Sequence, residues 1–217
     1  MARLTYDICV IGAGSAGLSV AAGTAQLGLD TILVERGKMG GECLNSGCVP
    51  SKAFLSLSKH VGHDVASTAG RFQFSRVKDG IQAAIDDIAP HDSVERFEGL
   101  GVRVLQTSAR FVDSNTLQAG EVTISARRFV IATGSRPALP DVPGFDSTKI
   151  LTNENIFALR DRPDHLVILG GGPIGIEMAL AHRRLGIAVT VIQRSTILPH
   201  DEAELVVGLD GEDGSVA

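Results

Sequence analysis

The order strand, glycine turn, helix, glycine, strand occurs twice in this chain, and no other feature restricts its fold as strongly. In the first copy Ile8 to Ile11 is a short apolar run ended by Gly12. Ser15 to Leu27 is small and helix-compatible, Gly28 stops it, and Thr31 to Val34 is apolar and β-branched. In the second copy Leu166 to Leu169 leads into a helix from about Ile174 to Leu185 and then a strand from Ala188 to Ile192. Short continuous apolar strands joined by helices predict parallel strands buried on both faces. The composition agrees: 25 Gly with 8 Phe, 1 Tyr and no Trp leave a core of Ala, Val, Ile and Leu. That suits α/β layers better than an aromatic-cored sandwich.

Between the two copies, Pro50 to about Val65 reads as a helix with proline at its first position. Val77 to Ile88 carries a helical apolar face at positions 77, 81, 84, 85 and 88. Val102 to Leu105, Arg110 to Val112, Thr116 to Leu117 and Val122 to Ile124 alternate as short antiparallel strands. Phe129 to Ala132 is again a buried strand, closed by Thr133-Gly134-Ser135. Pro137, Pro140, Pro143 and Gly144 form a stiff connector, the expected boundary between domains 1–144 and 145–217. After Pro199 the pattern decays, and residues 208–214 are expected to fray; Asp201, Glu202 and Glu204 read as a solvated helix start.

Twenty basic against 25 acidic residues give a net charge of −5, so nothing global favours nucleic acid. No run approaches the ~18 apolar residues that span a bilayer, and the first residues lack a signal-peptide pattern. A cytoplasmic protein with no nucleic-acid or membrane partner is the expectation. Three cysteines are too few for a disulfide scaffold. The six histidines form no ligand set: His60 and His63 read as surface residues, and His91, His165, His182 and His200 are scattered.

Three motifs carry chemistry. In Gly12-Ala13-Gly14-Ser15-Ala16-Gly17 the glycines permit a tight turn, backbone approach to a pyrophosphate and close helix–strand contact. The phosphates would meet the helix N-terminus. Glu35 closes the next strand, where an acid accepts hydrogen bonds from ribose hydroxyls; Arg36 reads as a solvated neighbour. The second motif runs from Gly40 to Lys52 and holds Cys43 and Cys48. In an undistorted helix cysteines five apart have Cα atoms ~8.7 Å apart, beyond disulfide reach. A bridge therefore needs a bent loop, which Asn45 and Gly47 allow; two unlinked cysteines in a glycine turn is the other reading. A helix starting at Pro50 would place Cys48 beside its positive end, with Lys52 as a nearby cation. Ligand spacing for a metal is absent, and Cys9 reads as core filler. The third motif is Gly170-Gly171-Gly172-Pro173-Ile174-Gly175, again between strand and helix.

Paired glycines, Cys43, four residues, Cys48, then Pro50-Ser51-Lys52 resemble the class I pyridine nucleotide–disulfide oxidoreductases, which include dihydrolipoamide dehydrogenase and mercuric reductase. The resemblance implies an α/β fold: a Rossmann-like FAD-binding domain with an antiparallel β insertion, followed by a partial second Rossmann-like NAD(P)-binding unit. It implies that Cys43 exchanges with substrate, Cys48 contacts the flavin, and Lys52 lies near the flavin ring paired with Glu177. Gly12, Gly14, Gly17, Glu35, Thr133 and Gly134 would bind FAD. Gly170, Gly172 and Gly175 would bind the nicotinamide nucleotide. Pro173 stands where some members carry a gating tyrosine. Gln193 replaces the usual ribose-binding acid and Arg194 follows it, either solvated or facing a ribose phosphate, which slightly favours NADPH over NADH.

The implied reaction passes a hydride from NAD(P)H through FAD to the Cys43–Cys48 pair and on to a small-molecule disulfide or metal-ion substrate. Complete members also have a C-terminal dimerisation domain that lends a His–Glu base to the partner subunit, so they are homodimers. The resemblance covers the N-terminal half only. The alternative expectation is accordingly a chain that binds FAD at most and does not turn over.

Overall fold

The computed structural model describes residues 2–60, 69–142, 145 and 150–198. His63, Pro143, Gly144, His200, the acids at 201, 202 and 204, residues 61–65 of the expected helix and the stretch 208–214 lie outside the described residues. Packing divides the chain into two compact units, residues 1–50 with 83–157, and residues 51–82 with 158–217. The boundary expected at 144/145 is a division by cofactor, whereas these units interleave along the sequence.

The first unit is a six-stranded mixed sheet in the order β3-β2-β1-β6-β5-β4. Its strands are β1 (Ala2–Ile11), β2 (Thr31–Glu35), β3 (Arg103–Gln106), β4 (Ala109–Asp113), β5 (Thr116–Ala119) and β6 (Val122–Ile131). Helix α1 (Ser15–Gln26) joins β1 to β2; of its buried residues, Gly17 and Ala21 are small enough for the helix to lie close on the sheet, and Leu18 packs between them. Gly28 ends it at φ +76°, with its N–H on the Ala25 carbonyl. Successive residues of β1 and β2 point to opposite faces. Val10 and Leu33 join Leu18, Ala21, Phe97, Val102 and Val104 on one side. Cys9 and Ile32 join Leu117, Ala119, Ile124 and Ala126 on the other, where half-buried Tyr6 also packs.

Three strand readings need correction. β3 pairs parallel to β2, not antiparallel, because the helical segment ending in α5 (Val94–Gly99) returns the chain to the start of the sheet. Among the described residues β4, β5 and β6 pair antiparallel, β6 meanwhile lying parallel to β1. Val122–Ile124 and the expected strand from Phe129 belong to one strand, β6, which ends at Ile131, one residue short of Ala132. Arg127 and Arg128 look like an interruption but stay exposed, and Arg127 pairs with Asp7 at 3.0 Å. β1 begins at Ala2 and not at Ile8: its first half has β6 as a partner before β2 joins at Ile8, so its polar residues tolerate solvent.

The second unit pairs β7 (His165–Leu169) with β8 (Ala188–Ile192) in parallel and packs α6 (Pro173–Arg184) with parts of α3 (Cys48–Lys59) and α4 (Ala69–Ile88). Helix α3 starts two residues before Pro50. The missing N–H of Pro50 still costs nothing there, since first-turn amides have no partner within the helix. Phe54, Phe74, Ile81, His182 and Leu185 are fully buried, and Lys78 is buried with them. The Lys78 Nζ lies 4.5 Å from the centroid of the Phe54 ring and 5.1 Å from that of Phe74. The His182 ring meets Phe54 edge-on at 4.7 Å. The reading of the histidines as scattered missed this one, which is part of a core.

Burial pushes the His182 imidazole down to about 4; the Met178 carbonyl opposes the shift and the Lys78 charge adds to it. Burial, helped by the Arg160 charge, lowers the Lys78 amine to about 8. Between about pH 6.5 and 4 the unfolded chain therefore binds a proton at His182 that the folded chain refuses, so stability falls as pH falls through that window. Replacing His182 by Phe should remove this loss, on the order of 2–3 kcal/mol. Urea unfolding of both proteins at neutral and mildly acid pH checks it: the wild type should weaken more than the variant.

Candidate active site

The first glycine loop is built by close contact. Gly12 turns at φ +105° with its N–H on the Val34 carbonyl at 2.8 Å. A Cβ on Gly12 would stand 2.2 Å from the Ala132 carbonyl oxygen, and one on Gly17 would stand 1.8 Å from that of Gly12. Gly14 caps α1 with extended backbone and no side-chain cap, and no acid occupies the first turn. The free first-turn amides and helix dipole suit an anion. Glu35 reaches back to the loop, its Oε2 accepting from Ala13 N and its Oε1 from Gly37 N, each at 2.6 Å. A carboxylate has lone pairs beyond these two for ribose hydroxyls. Thr133 and Gly134 follow β6 in an exposed turn beside Gly12.

The cysteine loop lies directly on this turn. Gly41 has φ +58°, and a Cβ there would come within 2.5 Å of Gly14 Cα. From Gly41 the chain makes one short helix, α2 (Gly41–Asn45), which carries Cys43. Asn45 Nδ2 ties the loop by donating to the carbonyls of Met39 (2.9 Å) and Gly41 (2.8 Å). The break falls at Ser46-Gly47, where a Cβ on Gly47 would be 3.0 Å from the Glu42 carbonyl and 3.3 Å from Cys43 Cα. That crowding returns the chain to Cys43, and Cys48 opens α3. The bend at Asn45 and Gly47 is thus realised, and it brings the two thiols within hydrogen-bond reach. Helix α3 starts at Cys48 itself and not at Pro50. Cys48 is exposed and Cys43 half-buried.

The hydrogen bond with Cys48 raises the pKa of Cys43, with burial and the Cys48 charge adding and Asp92 contributing least. Asn153, which no sequence pattern marks, donates from Nδ2 to Glu42 Oε1 at 2.8 Å and so holds the residue preceding Cys43.

In the second unit the loop after β7 repeats the turn of the first and its contact between helix glycine and turn carbonyl. Gly170 has φ +112° and donates to the Ile192 carbonyl at 2.9 Å. A Cβ on Gly175 would lie 2.1 Å from the Gly170 oxygen, and Gly172 caps α6 as Gly14 caps α1. Gln193 Oε1 accepts from Gly171 N at 3.0 Å, the role Glu35 plays for Ala13. Its Nε2 donates to Ser195 Oγ and the Thr196 carbonyl. Arg194 is exposed beside it. Lys52 Nζ donates to Glu177 Oε1, joining α3 to α6. Among the described residues there is no cluster of three metal-ligating side chains, and no helix is long and apolar enough to cross a membrane.

The family model described as pyridine nucleotide-disulphide oxidoreductase matches residues 6–205. A mercuric reductase of Streptomyces lividans is 32% identical over 224 residues, covering 96% of this chain and 47% of its own length. Dihydrolipoyl dehydrogenase 2 of Haloarcula marismortui is 37% identical over 220 residues, covering 92% and 45%. The HOCl-induced flavoprotein disulfide reductase RclA from Escherichia coli superposes with a TM-score of 0.82 over 94% of this chain and 46% of its own, at 24% identity, a likeness of fold. The chain thus spans a little under half the length of these proteins.

Replacing Cys48 by Ala should let Cys43 ionise at lower pH, since the hydrogen bond that opposes its ionisation is gone. The pH dependence of alkylation at Cys43, located by peptide fragmentation in a mass spectrometer, reads this directly, and burial holds Cys9 up at about 12, out of the way. An unchanged Cys43 titration would separate the two thiols.

Proposed function

Because the chain belongs to the pyridine nucleotide-disulphide oxidoreductase family, we propose that it is the electron-transfer half of such an enzyme. Residues 1–144 hold FAD, residues 145–217 form part of an NAD(P)-binding domain, and the Cys43–Cys48 pair delivers electrons to a small-molecule disulfide or a metal ion. The observation that carries this reading is the backbone contact of Gly41 with Gly14, which lays the cysteine loop on the loop suited to a pyrophosphate.

The residues fit the cofactor. Gly12 and Gly17 let backbone pack on backbone, which sets the uncapped start of α1 at the turn; its amides would face a pyrophosphate, and Glu35 takes the ribose while Thr133 and Gly134 flank the turn. FAD, when bound, supplies the two-electron link between nicotinamide and dithiol. With a disulfide substrate, the Cys43 thiolate attacks one sulfur, forms a mixed disulfide and expels one thiolate. Cys48 then attacks the Cys43 sulfur, releasing the second thiolate and closing the Cys43–Cys48 bond. Lys52 and Glu177 serve on the flavin side as an ion pair. Gly170, Gly172 and Gly175 cradle the nicotinamide nucleotide. Gln193 is committed to Gly171, Ser195 and Thr196, which leaves Arg194 to meet a 2′-phosphate and favours NADPH. The base and the dimer contacts of complete homodimeric members are assigned to none of these residues.

A second reading, FAD binding without turnover, draws on one observation. The β7–β8 pair leaves Val167, Leu169 and Ile192 about half exposed, so among the described residues this sheet is covered on one face.

A visible spectrum before and after anaerobic NADPH distinguishes them. The first reading expects a flavin band that bleaches or gains a long-wavelength shoulder; the second expects the band without response. Cys48→Ser should abolish the shoulder while Cys43→Ser keeps it and stops exchange. Arg194→Ala should weaken NADPH more than NADH. A colourless chain that FAD does not reconstitute would sink both readings.

A further inference from the structure

We propose that His182 is a positioning residue: its ring keys α6 onto α3 so that Glu177 meets Lys52. The inference rests on the reading of Lys52–Glu177 as the flavin-side pair.

The ion pair cannot hold the helices itself. The Lys52 and Glu177 side chains are 63% and 29% exposed, and a pair that open to water contributes about 0–1 kcal/mol. What joins α3 to α6 lies deeper. Phe54 of α3 meets the His182 ring edge-on, and Phe74 of α4 lies tilted at 6.5 Å from it. Arg184 Nη1 reaches the Leu55 carbonyl at 3.4 Å. These contacts follow the same order along both helices: 52 with 177, 54 with 182, 55 with 184.

On α6 the other buried positions are Ile176 and Met178, each slightly exposed, and the small Ala179 and Ala181, so among the described residues of this helix His182 is the large side chain that is completely enclosed and best placed to fix the register. Its ring is itself fixed, with Nδ1 on the Met178 carbonyl at 2.8 Å. Its Nε2 is buried without a hydrogen-bond partner among the described residues. That atom costs stability and adds no contact. The ring's packing between Phe54 and Phe74 is therefore what acts, and phenylalanine supplies the nearest apolar ring, slightly larger and without the Met178 bond.

The lever is long enough to matter. A carboxylate ~6 Å from a helix axis moves ~2 Å when the helix rolls by ~20°, which exceeds the tolerance of a hydrogen bond. Emptying the space between Phe54 and Phe74 invites such a roll.

Carbodiimide coupling reads the geometry without flavin. In the 217-residue chain the reagent activates Glu177 and the Lys52 amine displaces it, leaving an amide that peptide mass spectrometry detects. The wild type and His182→Phe should give the 52–177 cross-link, Glu177→Gln none, and His182→Ala a folded protein that has lost it. If His182→Ala does not fold, His182→Leu carries the same expectation. A cross-link undiminished in the Ala or Leu variant, absent from the wild type, or lost equally in His182→Phe overturns the proposal.

With flavin bound, His182→Ala should slow reduction by NADPH in the wild-type background and not in a Glu177→Gln background. Equal slowing in both backgrounds also overturns it. If Glu177→Gln alone leaves reduction untouched, the flavin-side reading fails, and the cross-link still decides the positioning role.

Discussion

The architecture depends on backbone meeting backbone with no side chain between. Gly17 sits against the Gly12 carbonyl and Gly41 against Gly14 Cα. The first contact brings the start of α1 to the end of β1, so that its N-terminus opens where a phosphate can reach the amides. The second brings the cysteine loop to the same spot. Neither contact tolerates a methyl group, and each depends on the other segment being in place. The dithiol and the anion site are therefore one construction, made from loops about thirty residues apart in sequence.

The second unit repeats the turn of the first loop with a different group reaching back to it. Glu35 and Gln193 occupy equivalent positions and accept from equivalent backbone amides, Ala13 N and Gly171 N. A carboxylate there keeps further acceptor capacity and negative charge for ribose hydroxyls. The amide spends its oxygen on the loop and its nitrogen on Ser195 and Thr196, and it repels no phosphate. The same turn thus carries an acid in one unit and an amide in the other, at the position that lies next to the loop's backbone.

The glycine loops, Glu35, the cysteine pair and β8 were legible in the sequence because each requires a residue type at a fixed spacing. What escaped was set by partners distant in sequence. β3 looks like a free antiparallel strand until β2 is beside it. Arg127 looks like a strand break until Asp7 pairs with it. The start of α3 at Cys48 follows from the crowding of Gly47 against Glu42 and Cys43, which no local propensity records. Lys78 has the composition of a surface residue; it is buried because Phe54 and Phe74 offer ring faces to its ammonium. His182 and Asn153 acquire meaning only through Phe54 and Glu42.

The scarcity of aromatic residues has an optical side. Tyr6 is the chain's one tyrosine, there is no tryptophan, and Tyr6 packs on the Cys9 face of the first unit's sheet. The core of the second unit holds phenylalanine and histidine rings, which scarcely emit. Intrinsic fluorescence therefore reports on the six-stranded sheet alone. The helices that carry Lys52 and Glu177 can loosen unseen by it, and only a probe placed in that unit would register the event.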